Sequence, residues 1–280
     1  MFGDAVEITM KHDEMKRICI ETRRNIVRMA HEKKMSHVGS AFSMVEILVT
    51  LYLDVLNIDP SDAKSSQRDV FILSKGHACI ALYNVLAFAG FFPVERLKTY
   101  CEFDGGMGGH PDRHILPGIE ACTGSLGHGL SLGVGLAIAG KHDKQNRKVV
   151  VLMGDGELDE GSVWEAAMAA SHYKLDNMIA IVDRNGLQAD SRTEETMALE
   201  SLEMKWKSFG WHAEQVDGHN LCELSNVLGK LYNMPGAGSP NVVIARTVKG
   251  KGVSFMEDEQ AWHFNVPDEK EMNRALEELA

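Results

Sequence analysis

Two short polar segments, each directly after an apolar run, constrain this chain more than any other feature. Gly154-Asp155-Gly156 follows the run Val149–Met153, and Asn185 follows the run Met178–Asp183. Asp155 and Asn185 are 30 positions apart, about the length of one strand–helix–strand unit. The pattern predicts two parallel strands whose carboxyl ends bring both side chains to one sheet edge, where α/β proteins bind ligands.

The rest of the chain alternates helices and strands, which predicts an α/β fold with a doubly wound, mostly parallel sheet flanked by helices. Ser43 and Glu46 have the spacing of a capping box that opens a helix to about Leu56. Gly133 and Gly135 inside one helix predict close backbone packing. Further strands are predicted at Asp69–Leu73, Trp211–Val216 and Asn241–Arg246, and helices at 13–33, 78–89, 161–173 and 221–232. We expect one domain over residues 1–280, with a turn-rich connector at 233–240, an irregular segment at 249–267 and a terminal helix at 268–279.

Composition and charge exclude several classes of protein. The 280 residues include 29 basic and 40 acidic side chains, a formal net charge of −11 without a basic stripe, so nucleic acid is not an expected partner. The chain lacks an 18-residue apolar run and a basic, then apolar, start, so we expect neither a membrane span nor a signal peptide. Five dispersed cysteines without a Cys-x-x-Cys pair are typical of reduced thiols, which predicts a cytoplasmic protein.

The chemistry of the two polar segments favours a metal and a phosphate. A carboxylate and an amide oxygen form a hard donor set that suits Mg²⁺ or Ca²⁺ better than zinc. Gly154 leaves room for a phosphate, and a helix that begins near Gly161 can direct its positive end towards that anion. A purely structural turn remains the alternative, because Asp-Gly is common in turns.

Ordered segments along the chain resemble the N-terminal half of the transketolase family. They are SHVGSAFSMVEIL (Ser36–Leu48), RDVFILSKGHACIALY (Arg68–Tyr83), GGHPD (Gly108–Asp112), TGSLGHGLSLGVGLA (Thr123–Ala137), VVVLMGDGELDEGSVWEA (Val149–Ala166), IAIVDRNGLQ (Ile179–Gln188), RTVKGKGVSFMED (Arg246–Asp258) and WHFNVP (Trp262–Pro267). Gly-Asp-Gly with an asparagine 30 positions later resembles that family's thiamine-diphosphate motif. The resemblance covers roughly residues 12–275 and stops where a full-length transketolase continues into its pyrimidine-binding domain.

The resemblance implies a thiamine-diphosphate-binding fold and the N-terminal subunit of a split transketolase. Such an enzyme transfers a two-carbon ketol unit from a ketose to an aldose, here sugar phosphates, with thiamine diphosphate and Mg²⁺. Ca²⁺ or Mn²⁺ are alternatives to Mg²⁺. The resemblance also implies that the chain is active only with a separate C-terminal subunit that carries the pyrimidine-binding domain, in an α2β2 assembly.

The resemblance also implies roles for individual residues. Asp155, Asn185 and the Leu187 carbonyl would hold the metal. The catalytic histidines would be His37, His77, His110 and His263, since imidazoles exchange protons near neutral pH. The cofactor would be bound by His77, Gly124, Ser125, Leu126, Gly154, Asp155, Gly156, Glu160, Asn185 and His263, with Glu160 near the subunit boundary.

Several positions depart from the family pattern or stay open. A one-residue shift would put Phe264 in place of His263, and 189–192 replace a more usual apolar–Asp–Gly stretch. Arg184, beside the metal asparagine, could alter metal affinity or reach a substrate anion, although a solvated surface arginine is the simpler interpretation. His128 stays undecided. Surface or core positions without a role are predicted for His12, His31, His142, His172, His212 and His219.

Two other classes of function compete with a transketolase. The chain could belong to another thiamine-dependent enzyme, such as a deoxyxylulose-phosphate synthase or the first component of a 2-oxo acid dehydrogenase. It could also be a non-catalytic subunit that keeps the fold alone. The ordered histidines and the GHP and KGKGVSF segments favour a transketolase, and Asp155, Asn185, His77 and His110 speak against a non-catalytic subunit.

Overall fold

The computed structural model describes residues 2–234 and 238–280, which contain a five-stranded sheet in the order β1-β2-β3-β5-β4. Every neighbouring pair of strands is parallel, which confirms the predicted fold class. The strands are β1 (Val70–Leu73), β2 (Val149–Gly154), β3 (Met178–Arg184), β4 (His212–Asp217) and β5 (Asn241–Arg246). Residues 235–237 of the predicted connector lie outside the described residues.

Helices connect the strands and cover both faces of the sheet. They are α1 (Phe2–Lys33), α2 (Val38–Phe42), α3 (Val45–Thr50), α4 (Cys79–Phe88), α5 (His128–His142), α6 (Gly161–His172), α7 (Thr193–Thr196), α8 (Leu202–Ser208), α9 (Leu221–Asn233) and α10 (Glu269–Glu278). None of the helices in the described ranges combines the length and the apolar character that a membrane crossing needs.

Successive residues of each strand pack on opposite sides of the sheet. Val150 and Leu152 of β2 join the hydrophobic cluster that includes α1, α3 and α4, while Val149 and Val151 join the cluster with α5, α6 and α8. These four side chains are fully buried. A strand buried on both faces needs an unbroken apolar sequence, which explains why the central strands read as continuous Val, Ile and Leu runs.

The predicted capping box at Ser43 and Glu46 is wrong. The segment forms α2, a break at Ser43 and Met44, then α3, which ends in a π-helical turn at Leu51–Val55. Ser43 Oγ donates to the buried Asp183 carboxylate at 2.6 Å, and Glu46 pairs with Arg23 across the core. Both side chains therefore bind charged residues that are distant in the sequence, and neither is available to cap the local backbone.

The segment between β5 and α10 returns to the carboxyl edge of the sheet. Gly250 N–H donates to Gly39 O at 3.1 Å, and His37 N–H donates to His263 O at 3.1 Å. α10 then begins with a capping box between Asp268 and Glu271. These contacts hold His263 beside the residues that follow β1, β2 and β3.

Candidate functional site

A cavity of about 450 Å³ lies at the carboxyl edge of the sheet, where the segments after β1, β2, β3 and β5 meet. It is lined by His37, Ser40, Lys75, His77, His110, Gly124, Leu126, Gly154, Asp155, Gly156, Glu157, Asn185, Leu187, Gln188, Ala189, Lys249 and His263. The four predicted histidines and the three predicted metal-binding residues are all in this set. Their roles stay predictions, but the structure brings them to one place.

Oxygen donors form one side of the cavity. The pairing of Gly154 with Asp183 places Asp155, the residue after β2, beside Arg184, the last residue of β3. Asp155 Oδ2 accepts a hydrogen bond from Gly186 N–H at 2.6 Å, and Asn185 Oδ1 accepts one from Leu187 N–H at 3.1 Å. Both oxygens therefore have fixed directions at the cavity wall.

Burial dominates the electrostatics of Asp155, which is only 1% exposed. Burial, followed by the charge of Asp183, raises the pKa of Asp155, and the Gly186 N–H and Arg184 offset only part of that effect. A metal held together with a bound anion would supply the missing compensation.

Three imidazoles cluster on another side of the cavity. The ring centroid of His37 lies 5.1 Å from those of both His77 and His263, and His77 and His263 are 5.4 Å apart. Burial is the first cause that lowers their pKa values, to about 2 for His77 and about 3 for His263, and neighbouring Lys75 and Lys249 lower both further. Burial likewise lowers the pKa of His37. The cluster is therefore neutral at pH 7 and can both donate and accept hydrogen bonds.

His110 lies on the rim of the cavity rather than in this cluster. Tyr83 Oη lies 2.8 Å from the His110 carbonyl oxygen and 3.1 Å from the Gly108 carbonyl oxygen, so its single hydrogen is shared between them and anchors the glycine-rich segment. A Cβ added to Gly124 would lie 3.0 Å from His110 Cδ2. Glycine at 124 thus lets the His110 ring lie directly on the turn before α5.

Two buried lysines in the cavity wall were missed by the sequence analysis. Lys75 follows β1, pairs with Asp183 and donates to Ser40 O at 2.9 Å. Lys249 follows β5, is 1% exposed, and has its Nζ 3.3 Å from Gln188 O. Burial and then the charge of Lys75 lower the pKa of Lys249 to about 8. Asp155 was found because polar residues that follow parallel strands meet at one edge of the sheet. The same search after β1 and β5 would have found both lysines.

Glu157 is a further missed residue, and it organises the glycine turns. Its buried carboxylate accepts hydrogen bonds from Gly127 N–H at 2.9 Å and Gly154 N–H at 3.1 Å. The Gly154 N–H is therefore engaged within the chain, so a diphosphate would meet the Cα side of Gly154. A Cβ at Gly156 would lie 2.6 Å from Gln188 Cβ, which explains the glycine there.

The interpretation of Arg184 as a solvated surface residue is wrong. Arg184 is 6% exposed, and its Nη1 donates to Asp155 Oδ2 at 3.0 Å. The guanidinium also pairs with Glu194 at 2.7 Å and Glu200 at 3.3 Å. Its charge is therefore directed at Asp155 and at the segment after β3.

The structure separates a few predicted residues from the cavity. Ser125 is exposed and lines a neighbouring depression with His110 and Gly124, and Glu160 is exposed at the start of α6. His128 Nδ1 lies 2.9 Å from Leu126 O in the turn that opens α5. His263 lines the cavity, whereas Phe264 is 58% exposed, which favours His263 over Phe264 as the functional position.

The cavity chemistry fits a divalent cation together with a diphosphate. Asp155, Asn185 and Leu187 offer oxygen donors of the kind that Mg²⁺ and Ca²⁺ prefer. Lys75 and Lys249 repel each other across the same cavity, and a polyanion would relieve that repulsion.

Comparisons with known proteins agree with this chemistry. Residues 15–279 match the family model described as "Transketolase, thiamine diphosphate binding domain". The chain is 44% identical to one of the subunits of the apulose-4-phosphate transketolase of Actinobacillus succinogenes, over 96% of this chain and 97% of that protein. It is 41% identical to a 6-deoxy-6-sulfo-D-fructose transketolase subunit of a Clostridium species, over 87% of this chain and 88% of that protein.

Solved structures of full-length transketolases share the fold. The Campylobacter jejuni enzyme superposes with a TM-score of 0.84 at 27% identity, over 95% of this chain and 43% of that one. The Leishmania mexicana enzyme superposes with a TM-score of 0.84 at 26% identity, over 95% of this chain and 41% of that one. This chain therefore spans about two-fifths of a full-length transketolase. Together these findings confirm the sequence-based identification: the chain belongs to the transketolase family, as the N-terminal subunit that carries the thiamine-diphosphate-binding domain.

Proposed function

We propose that this chain, as one diphosphate-binding domain over residues 1–280, acts in a two-chain transketolase that uses thiamine diphosphate and a divalent metal on sugar phosphates. The convergence of the oxygen donors Asp155, Asn185 and Leu187 with the histidine cluster at one cavity carries the proposal. Five cysteines within the described residues are free thiols, which supports a cytoplasmic location.

Metal and diphosphate would share the side of the cavity where β2 and β3 end. The carboxylate of Asp155, the amide oxygen of Asn185 and the carbonyl of Leu187 would hold Mg²⁺, with Ca²⁺ or Mn²⁺ as substitutes. Lys249 would donate a charge-assisted hydrogen bond to the diphosphate, since charged donors bind phosphate oxygens strongly. The neutral His77 would add an uncharged hydrogen bond from its ring N–H. Gly124, Leu126 and Gly156 would lie against the cofactor in the cavity wall, and Ser125 would lie at its edge.

When bound, thiamine diphosphate supplies the nucleophilic carbon and the electron sink that two-carbon transfer between sugars requires. The chain's own contribution is to orient the sugar and move protons at its oxygens. His37, His77 and His263 are neutral, so each can donate from one ring nitrogen and accept at the other. His110, on the rim, would meet the sugar as it enters.

The proposed partner is a separate subunit that carries the pyrimidine-binding domain, in an α2β2 assembly. Neighbouring helices α5 and α6 expose Leu132 (45%), Ile138 (37%) and Met168 (53%), with Tyr173 (56%) just after α6. Glu160 is the N-cap residue of α6. An exposed apolar patch of this kind is typical of an interaction surface. Similar proteins of nearly the same length are named as transketolase subunits, which supports a second chain.

The test is reconstitution with a candidate partner from an adjacent reading frame. We expect no ketol transfer by this chain alone with thiamine diphosphate and Mg²⁺, and transfer between sugar phosphates once the partner is added. Asp155→Ala should abolish metal-dependent cofactor binding in the assembled enzyme, as measured by calorimetry. Full activity of the isolated chain, or unchanged cofactor affinity of Asp155→Ala, would contradict the proposal.

A further inference from the structure

Arg184 is a buried guanidinium in contact with the carboxylate that we propose as a metal ligand. Its Nη1 lies 3.0 Å from Asp155 Oδ2, and the two side chains are 5% and 2% exposed. The pairing is a consequence of strand register, because Gly154 pairs with Asp183 and the next residues therefore face each other. The contact is thus fixed by the sheet rather than by a mobile loop.

The other partners of Arg184 are weaker competitors for its charge. Glu194 and Glu200 have side chains that are 42% and 38% exposed, so water screens their attraction to the guanidinium. Asp155 is almost fully buried, and Coulomb interactions are stronger where water is excluded. The hydroxyl of Thr193, 2.5 Å from Nη1, helps to fix the direction of the side chain.

The charges at the oxygen donors therefore nearly cancel before any ligand arrives. Asp155 is the single carboxylate among the three proposed metal-binding residues, and Arg184 opposes it directly. Two other buried carboxylates lie nearby: Asp183 is already paired with Lys75, and Glu157 accepts hydrogen bonds from Gly127 N–H and Gly154 N–H. A divalent cation that enters alone would meet polar oxygens without net negative charge.

We infer that Arg184 couples metal binding to diphosphate binding, so that the metal binds tightly only when the diphosphate supplies the negative charge that Arg184 has cancelled. This inference rests on the proposed function and concerns the order in which the site fills. Arg184 is thus a positioning residue that acts through Asp155.

Binding of Mn²⁺ to the purified full chain tests the coupling, with the free Mn²⁺ signal in electron paramagnetic resonance as the readout. In the unmodified chain, Mn²⁺ should bind weakly alone and tightly with thiamine diphosphate, after subtraction of a protein-free blank. In Arg184→Met, Mn²⁺ alone should bind about tenfold more tightly, because the opposing charge is gone. The ratio of the Mn²⁺ affinities with and without thiamine diphosphate should therefore be smaller in Arg184→Met than in the unmodified chain. Arg184→Lys keeps the positive charge and should keep that ratio.

Arg246→Met is the matched control. Arg246 pairs with Arg184 in the β3–β5 register and contacts the same Glu200 at 2.9 Å, but it has no contact with Asp155 among the described residues. This variant should leave both Mn²⁺ affinities unchanged.

The outcomes separate the inference from the proposed function. If the unmodified chain and its complex with the partner bind no Mn²⁺ even with thiamine diphosphate, the proposed metal site is wrong. If they do, but folded Arg184→Met binds Mn²⁺ alone no more tightly than the unmodified chain, the coupling role of Arg184 is wrong. If circular dichroism shows that Arg184→Met does not fold, Arg184→Gln replaces it, because glutamine keeps a donor for Thr193. Its Mn²⁺ affinity in the absence of thiamine diphosphate is then compared with that of the unmodified chain.

Discussion

The ammonium nitrogen of Lys249 lies 3.0 Å from Nδ1 of His263, and both side chains face the cavity. A charged ammonium can only donate, so this contact makes Nδ1 of His263 an acceptor and leaves its ring hydrogen on Nε2. Lys249 thus fixes the tautomer of a proposed catalytic histidine while it contributes positive charge for a diphosphate. This pair is the basis of the first prediction.

Replacement of Lys249 by methionine should weaken thiamine-diphosphate binding in the assembled enzyme. A hydrogen bond between charged groups contributes about 1.5–3 kcal/mol, which corresponds to roughly 10- to 100-fold in the dissociation constant. Calorimetric titration measures the change. Lys251→Met is the control, because the Lys251 side chain is 38% exposed and pairs with Glu257 at 3.1 Å. An equal loss in both variants would contradict the prediction.

The same binding should depend on pH in a defined direction. The pKa of Lys249 is lowered to about 8, first by burial and then by Lys75, so Lys249 is protonated below that pH and loses its charge above it. Cofactor affinity should therefore fall as the pH rises from 7.5 to 9. The Lys249→Met variant should lose this pH dependence, and retention of the full slope would show that another group is responsible.

The sequence was sufficient to predict the sheet because its central strands are apolar on both faces. β2 and β3 pass through the centre of the molecule, and their continuous Val and Ile runs allow few other structures. Parallel strands end at one edge, so the positions of Asp155 and Asn185 followed from the strand ends alone. The family resemblance then supplied the histidines, which come from segments with no local sign of convergence.

The residues that sequence reasoning misjudged are those whose partners are distant in the chain. Glu46 and His219 are 173 positions apart, yet Glu46 Oε2 lies 2.9 Å from His219 Nδ1. His219 Nε2 in turn accepts from Val248 N–H at 2.8 Å, so a histidine predicted to have no role supports the residue before Lys249. Arg184 was misjudged for the same reason, because only the strand register shows that it faces Asp155.

Replacement of Glu46 by glutamine should destabilise the fold markedly. The Glu46 carboxylate contacts Arg23 at 2.6 and 2.7 Å, and both residues are buried. Removal of one partner leaves a buried unpaired charge, which costs about 3–5 kcal/mol in the free energy of unfolding. Urea unfolding at pH 7 measures the loss. Glu14→Gln removes an exposed carboxylate that pairs with Arg17, and it should leave the stability nearly unchanged.

The Glu46 contribution should disappear in acid. Burial alone raises the Glu46 pKa, but Arg23 and His219 outweigh it and bring the pKa to about 2, below the unfolded value of 4.5. A carboxyl group whose pKa is lower in the folded state than in the unfolded state stabilises the protein at pH values above its unfolded-state pKa. That stabilisation is lost as the pH falls towards its folded-state pKa. The stability difference between the unmodified chain and Glu46→Gln should therefore shrink between pH 4.5 and 2. A constant difference over that range would contradict the ion-pair explanation.

Two glycines in α5 should respond to alanine in opposite ways, although the sequence predicted close packing at both. A Cβ at Gly133 would lie 2.6 Å from Val151 Cγ2, whereas a Cβ at Gly135 would meet no atom within 4 Å in the described part of the chain. Gly133→Ala should destabilise the fold by about 1–3 kcal/mol through overpacking. Gly135→Ala should stabilise the isolated chain by about 0.5–1 kcal/mol, as alanine does inside a helix. Thermal unfolding of both variants, compared with the unmodified chain, measures these changes. A loss of stability in both variants would contradict the packing described for Gly135.

A charged residue on the exposed face of α6 should prevent assembly without disturbing the fold. Met168 of α6 is 53% exposed, and α6 packs against α5, which exposes Leu132 and Ile138. Met168→Lys should therefore change the stability of the isolated chain by no more than about 0.5 kcal/mol. An ammonium buried at an apolar interface lacks a compensating partner, so association with the second subunit should weaken at least about a hundredfold. Native mass spectrometry of the two co-expressed subunits measures the fraction that is assembled. Met204 on α8 is 63% exposed outside this surface, so Met204→Lys should assemble normally. If Met168→Lys also assembles and transfers ketol units normally, the partner must bind elsewhere, and the apolar surface of α5 and α6 needs another explanation.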